Sequence, residues 1–270
     1  MSRNVSQRGF RPILRPVSAL CLGTAFALVG CAATPTSPPL DADLATQAET
    51  NPPPALPGII LDREAGLIDL DATVIGHGCE WLELVACTRG SREHEALVTI
   101  DAKPSDLHVA LLLIGLEPGS PQTGVRSEDG WTLVPPTGPA VDLHFLVPLE
   151  GPEQEQSGLV ETLVPVESWV FDRATDAVLP DATHGGWIFT GSRLVRDTRQ
   201  PPGPENPEVY LADVNGTVIS LVHFGDETIG RETTVTESSD GQNLVPHPAT
   251  MPPNGTRVVL RISRVQPATP

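Results

Sequence analysis

The stretch from Glu80 to Pro121 constrains the fold most, because it carries strand, turn, strand and helix signals in direct succession. Residues 81–87 and 96–101 alternate apolar and polar side chains with the period of a β-strand. Gly90 and Ser91, which lie between these two segments, are typical turn residues. The pattern therefore predicts a β-hairpin.

A helix follows the second of these strands. Proline suits the first helical position and serine suits the cap, so the helix begins at Pro104 or Ser105, and Gly115 ends it. Apolar residues recur at the i, i+3, i+4, i+7 spacing, and others complete the circumference: Leu107, Ala110, Leu111 and Ile114, then Val109, Leu112 and Leu113. We expect one principal buried helix over about residues 104–114, packed between the sheet and a second layer.

Further short segments after residue 58 read as strands bounded by Gly, Pro or Asn: 67–75, 140–149, 158–164, 168–172, 186–190, 209–213, 217–224 and 257–262. Asn215-Gly216 indicates a type I′ hairpin between two of them, while residues 118–129 and 196–208 are expected as loops. Only one long helix is evident, and the length suffices for one core. The expected fold class is a β-rich α+β single domain with a mainly antiparallel sheet.

Four segments resemble the YdjY domain family of bacterial exported proteins. They are GSREHEALVTIDAKPSDLHVALLLIGLEPGSP from Gly90, GGWIFTGSRL from Gly185, VYLADVNGTVISLVHFGDE from Val209 and MPPNGTRVVLRI from Met251. The resemblance supports a YdjY-like domain over residues 59–266, and it implies no particular activity. Some family members are described as ferredoxin-like, but this chain lacks a closely spaced run of cysteines able to hold an iron–sulfur cluster, so we expect no cofactor.

The N-terminus is built like a secretory signal. Four arginines precede an apolar run from Val17 to Val29 that is too short for a comfortable membrane span: Arg3, Arg8, Arg11 and Arg15. The run ends in Leu28-Val29-Gly30-Cys31, which resembles a lipobox, where the cysteine is acylated (diacylglycerol, palmitate-type chains) and becomes the new N-terminus. We expect a lipoprotein signal peptide over residues 1–30 and lipid attachment at Cys31; an ordinary cleaved signal is the alternative.

The segment after Cys31 predicts how the domain is held at the membrane. Residues 31–58 are rich in Pro, Thr and Ala without apolar periodicity, which favours a disordered tether, and residues 267–270 form a disordered tail. Ala32 stands where an Asp would usually retain a Gram-negative lipoprotein in the inner membrane. The resemblance therefore implies the cell envelope, at the outer membrane facing the periplasm if the source is Gram-negative.

Charge excludes one class of partner. The chain has 17 basic and 34 acidic residues, and loss of the signal, with its four arginines and no acidic residue, takes the net charge from −17 to −21. Such a chain repels phosphate backbones, so we expect no nucleic-acid partner. Anionic lipid heads are repelled too, so membrane association should depend on the lipid anchor only. An envelope protein stays open as a partner.

Five residues in the first stretch are weak candidates for ligand or functional roles: Cys87, His94, Glu95, Lys103 and His108. Across the predicted hairpin Cys87 and His94 face each other at about 5 Å between Cβ atoms. His108 lies beyond an extended strand, too far from His94 to share an ion. Alternatively, His94 and Glu95 close the turn by hydrogen bonding to its amides, and the sole lysine pairs with a neighbouring aspartate.

Cys79 and Cys87 would be held about 26 Å apart by an extended strand, which is too far for a disulfide, so both are expected as free thiols. The chain contains neither a nucleophile elbow nor a phosphate-cradling loop, and no metal site is expected. The favoured hypothesis is a non-catalytic binding or scaffolding module at the cell envelope. The alternative is a small metal- or thiol-dependent redox enzyme that uses Cys87 and His94.

Overall fold

The computed structural model describes residues 55–127, 130–149, 160–180, 186–233 and 243–265. The expected signal peptide, the lipid attachment at Cys31, most of the tether and the C-terminal tail lie outside these residues. The described residues all fall within one compact unit. No helix in the described ranges is long and apolar enough to cross a membrane.

The described residues form short strands, two α-helices and two 3-10 turns. The helices are α1 (Pro104–Leu113) and α2 (Leu211–Asn215), and the 3-10 turns are Glu93–Glu95 and Val166–Trp169. The strands are β1 (Ile59–Asp62), β2 (Leu67–Val74), β3 (Leu84–Thr88), β4 (Ala96–Ile100), β5 (Thr123–Ser127), β6 (Gly130–Val134), β7 (Ala140–Pro148), β8 (Glu161–Pro165), β9 (Val170–Asp172), β10 (Ala177–Val178), β11 (Trp187–Phe189), β12 (Leu194–Val195), β13 (Val209–Tyr210), β14 (Thr217–Ser220), β15 (Ile229–Arg231), β16 (Leu244–Pro246) and β17 (Arg257–Arg264).

Eight of these strands close into a barrel. Their order is β2-β17-β7-β11-β15-β14-β3-β4, and β4 pairs again with β2. The pairs β14–β15 and β3–β4 are parallel, and the other six neighbouring pairs are antiparallel. The expected β-rich α+β class with a mainly antiparallel sheet is confirmed. The closure of the sheet into a barrel was not predicted from the sequence.

The period-2 patterns recognised in the sequence produce the core. Along most of β2, β7 and β17 buried residues alternate with more exposed ones, because alternate side chains of a strand point to opposite faces. The buried residues are Ile68, Leu70, Ala72, Val74, Val141, Leu143, Phe145, Val258, Leu260 and Ile262. Phe145 stacks on the buried Trp169 with ring centroids 3.9 Å apart. Each large side chain buried in this way contributes about 1.5–3 kcal/mol relative to its exposed state.

The predicted hairpin at residues 81–101 is wrong, since β3 and β4 are parallel neighbours. The Glu93 side chain accepts the Gly90 N–H at 2.7 Å. The 3-10 turn at Glu93–Glu95 then returns the chain, so that β4 runs in the same direction as β3. Every residue of β4 and all but the last of β3 are buried, which is the pattern of parallel strands covered on both faces. Cys87 consequently lies opposite Thr99 rather than His94.

The prediction of a strand at 209–213 and a hairpin turn at Asn215-Gly216 is also wrong. The strand ends at Tyr210, α2 follows, and Gly216 terminates α2 with the left-handed φ of +75° that favours glycine at a helix end. A Cβ at Gly216 would lie 2.3 Å from the Ser91 Oγ, so the position also requires a residue without a side chain. Residues 123–127, expected as loop, form β5 and pair with β6.

Helix α1 begins at Pro104, which is one of the two predicted first residues, and Lys103 is its N-cap residue. Ser105 is therefore not the cap; its backbone N–H donates to Asp213 Oδ1 of α2 at 2.8 Å. Leu107, Ala110 and Leu111 join the main buried cluster, but Leu112 is 44% exposed. The helix is buried along one side rather than around its whole circumference.

Candidate functional site

A surface cavity of about 420 Å³ lies between α1 and the segment that leads into β12. It is lined by Ser105, His108, Val109, Gly191, Ser192, Arg193, Leu194 and Tyr210. Val109, Leu194 and the tyrosine ring give it an apolar surface, with a few polar groups among them. This size and composition are typical of small-molecule sites.

His108 and Tyr210 form the polar centre of this cavity. The Tyr210 hydroxyl donates to the Gly191 carbonyl at 3.0 Å, and His108 Nδ1 lies within hydrogen-bond distance of the same hydroxyl, also at 3.0 Å. Burial lowers the pKa of His108 and raises that of Tyr210, so both side chains are neutral near pH 7.

The wall made by Gly191 and Ser192 has left-handed backbone, with φ of +85° and +50°. A Cβ at Gly191 would lie 2.5 Å from the Cβ of Pro118, which leaves room only for glycine. Ser192 is not glycine, and its strained backbone is held by its N–H to the Glu227 carbonyl at 3.0 Å and by its hydroxyl to the Asp226 carbonyl. The shape of the wall is thus fixed from behind.

Residues 221–228 lie behind this wall and form a segment that we call the brace loop. Glu227 is fully buried, and its Oε2 accepts the backbone N–H groups of Phe224, Gly225 and Asp226 at 3.2, 2.8 and 3.1 Å. Its Oε1 lies 2.7 Å from His223 Nδ1, while His223 Nε2 donates to the Thr233 carbonyl at 2.6 Å. These bonds cross-link the loop. The side chains of His223 and Glu227 are both 0% exposed.

Asp226 connects the brace loop to α2. Its Oδ2 accepts from the Asn215 side-chain amide and from Thr217 Oγ1, while its Oδ1 is buried without a partner among the described residues. Burial raises the pKa of this carboxyl group. The buried carboxyl therefore fixes the end of α2 relative to the wall of the cavity.

The second anchor of the brace loop is Arg92. Its guanidinium lies 3.6 Å from the ring centroid of Phe224 and pairs with Glu83 Oε2 at 2.9 Å and with Glu95. Glu95 is thus a buried structural carboxylate, and the turn amide is bound by Glu93 rather than by His94 or Glu95. The His94 side chain is 72% exposed.

The two thiols are free, as predicted. Cys87 is fully buried, and burial raises its pKa to about 11, so it is protonated at neutral pH. Burial also raises the pKa of Cys79. Among the residues that the structure describes, no group of three or more His, Cys, Asp or Glu is placed to hold a metal ion.

Lys103 lines a second surface cavity of about 400 Å³, together with Arg89, Asp101 and Asp213. Asp101, one of the two aspartates considered as a partner of Lys103, pairs with Arg89 at 2.9 Å. Of the five candidate residues, only His108 lines the cavity at α1.

Sequence reasoning missed the roles of Tyr210, Ser192 and Arg193 and the pairing of His223 with Glu227 in the brace loop. Tyr210 is the single tyrosine of the chain, and the brace loop lies within the VYLADVNGTVISLVHFGDE segment that resembles the family. These residues stand about 80 to 120 positions from His108 in the sequence, and closure of the barrel brings them to it. Spacing along the chain could not reveal that proximity.

Comparison with known proteins gives one family. The YdjY domain model matches residues 59–263, which is well over half of the chain and includes α1, the cavity wall and the brace loop. No curated protein and no solved structure matches the chain.

Proposed function

The chain belongs to the YdjY domain family, and on that premise we propose that it is a lipid-anchored binding or scaffolding protein of the cell envelope that holds a small ligand without transforming it. The observation that carries this proposal is the cavity between α1 and the β12 segment, with its apolar lining and its few polar groups.

Preorganisation supports binding at this cavity. One wall stands on α1, whose inner side is packed into the core, and the other is held by hydrogen bonds from the brace loop. Because these supports are buried, the ligand would not have to order the site as it binds.

The lining residues favour binding over catalysis. The Ser192 hydroxyl is committed to the Asp226 carbonyl, and His108 Nδ1 is committed to Tyr210, so these two do not form a nucleophile–base pair. Cys87, the thiol considered for redox chemistry, is fully buried and does not line the cavity.

The anchored location rests on the sequence. Cys31 closes a lipobox-like segment, and the tether that follows would reach on the order of 30 Å from the membrane. With Ala32 after the lipidated cysteine, the protein would lie at the outer membrane facing the periplasm in a Gram-negative source. The acyl chains would be its only contact with lipid, because the acidic domain is repelled by anionic head groups.

Native mass spectrometry of the full-length protein, purified in detergent from the envelope, tests the proposal. We expect a retained small molecule on the wild-type protein and its loss in Val109→Trp, which fills the cavity. Leu163→Trp, at a 52% exposed position on β8, is the matched control and should retain the molecule. Equal retention by a folded Val109→Trp variant, or no retained molecule on the wild type, would reject the proposal.

A further inference from the structure

We infer that the cavity at α1 takes a small monoanionic carboxylate with an apolar body, whose carboxylate pairs with Arg193; this inference rests on the proposed function and names its ligand class.

Arg193 is the cation of this site. It lines the cavity and is exposed to solvent, and within the described ranges its guanidinium has no acidic partner. The next two arginines along the chain are paired, Arg196 with Glu208 at 3.5 Å and Arg199 with Asp197 at 2.8 Å. A guanidinium presents two parallel N–H groups to a carboxylate, so Arg193 fits a carboxylate ligand by geometry and by charge.

The rest of the cavity fits an apolar body. The hydroxyls of Tyr210 and Ser192 donate to backbone carbonyls of the protein, so neither offers its proton to a ligand. Val109 and the 62% exposed Leu194 supply aliphatic surface beside the tyrosine ring. His108 and Ser105 are polar residues that also line the cavity.

The charges around the cavity favour a ligand with one negative charge over a ligand with two. Asp213 accepts the N–H of Ser105, a lining residue, and so places a carboxylate next to the cavity. The chain as a whole has a net charge of −17. One arginine can balance a single ligand carboxylate, whereas the second charge of a phosphate monoester would be repelled by Asp213.

The test compares three probes of one shape on the full-length protein in detergent: 2-naphthoate, 2-naphthamide and 2-naphthyl phosphate, with affinities measured by calorimetry. We expect 2-naphthoate to bind at least tenfold more tightly than either of the others. Arg193→Gln should remove that tenfold preference and leave 2-naphthamide unchanged. Arg196→Gln, which removes an arginine three residues away that is paired with Glu208, is the matched control and should change nothing.

Equal affinity for the acid and the amide, tighter binding of the phosphate, or full affinity for the acid in Arg193→Gln would each overturn the inference. Failure of all three probes to bind would overturn it as well. The proposed function is decided separately, by the molecule retained in the native mass measurement on Val109→Trp, so the two can fail independently.

Discussion

His108 packs edge-on against Phe189 and Tyr210, with ring centroids 5.0 and 5.4 Å away, and this burial lowers its pKa from the ordinary value of 6.5. As the pH falls below about 6.5, the unfolded chain takes up a proton at this residue that the folded chain resists. The free energy of unfolding should therefore fall with pH in this range. The packing of His108 therefore makes the stability of the folded protein depend on the protonation of this one residue.

We predict that His108→Gln flattens this pH dependence. Thermal melts at pH 7.5 and pH 5.5 should show a smaller loss of Tm in the variant than in the wild-type protein. His94→Gln, at a largely exposed histidine, is the control and should keep the wild-type loss. An unchanged loss of Tm in His108→Gln would show that His108 does not carry the dependence.

Glu227 is the residue on which the brace loop depends most. Glu227→Ala leaves three backbone N–H groups and His223 without their acceptor in a fully buried place, and should cost about 3–5 kcal/mol of unfolding free energy. Glu227→Gln keeps one oxygen for the three backbone N–H groups and removes only the acceptor of His223, so it should cost clearly less. Urea denaturation measures both, and equal costs would contradict this account of the pair.

The cysteines give a prediction about reactivity. The mature protein should show two titratable thiols under denaturing, non-reducing conditions, because Cys79 and Cys87 are both free. In the native protein iodoacetamide at pH 7.5 should leave Cys87 unmodified, since its thiol is fully buried and protonated. Cys79→Ser isolates the signal of Cys87. Rapid alkylation of Cys87 in that folded variant would contradict its burial.

At the scale of elements, α1 offers a matched pair of leucines. Leu111 is fully buried and Leu112 is 44% exposed, so Leu111→Ala should cost about 2–5 kcal/mol and Leu112→Ala much less. Ser105→Ala should cost almost nothing, because Lys103 and not Ser105 occupies the N-cap position. Chemical denaturation of the three variants measures these differences. Equal losses of unfolding free energy in the two leucine variants would mean that α1 does not bury the face that carries Leu111.

Local sequence patterns predicted the elements better than their partners. α1 begins and ends close to its predicted bounds, because proline, apolar spacing and glycine act within one helix. The parallel pairing of β3 and β4 could not be read in the same way, since both strands are buried on both faces and alternation carries little information there. α2 was missed because Asn-Gly suits a helix end as well as a hairpin turn.

At the scale of the whole molecule, closure of the barrel determines the candidate site. β4 pairs with β2, and β14 lies between β3 and β15, so α1 and the cavity wall at Gly191 lie close together although about 80 residues separate them in the sequence. Of the cavity, the sequence indicated His108 by its residue type alone. Tyr210 and Arg193 line the same cavity because of long-range strand pairing, which no periodicity encodes.

The last prediction concerns attachment of the whole molecule to the membrane. Cys31→Ser should abolish acyl labelling and leave the precursor unprocessed by lipoprotein signal peptidase, so the variant should keep the four arginines of its signal and its net charge of −17. Metabolic labelling with a fatty acid and cell fractionation measure both effects. In a Gram-negative host, Ala32→Asp is the control, since it should keep the label but move the protein to the inner membrane. Normal labelling of Cys31→Ser would reject the anchor, and the binding domain would then need another route to the envelope.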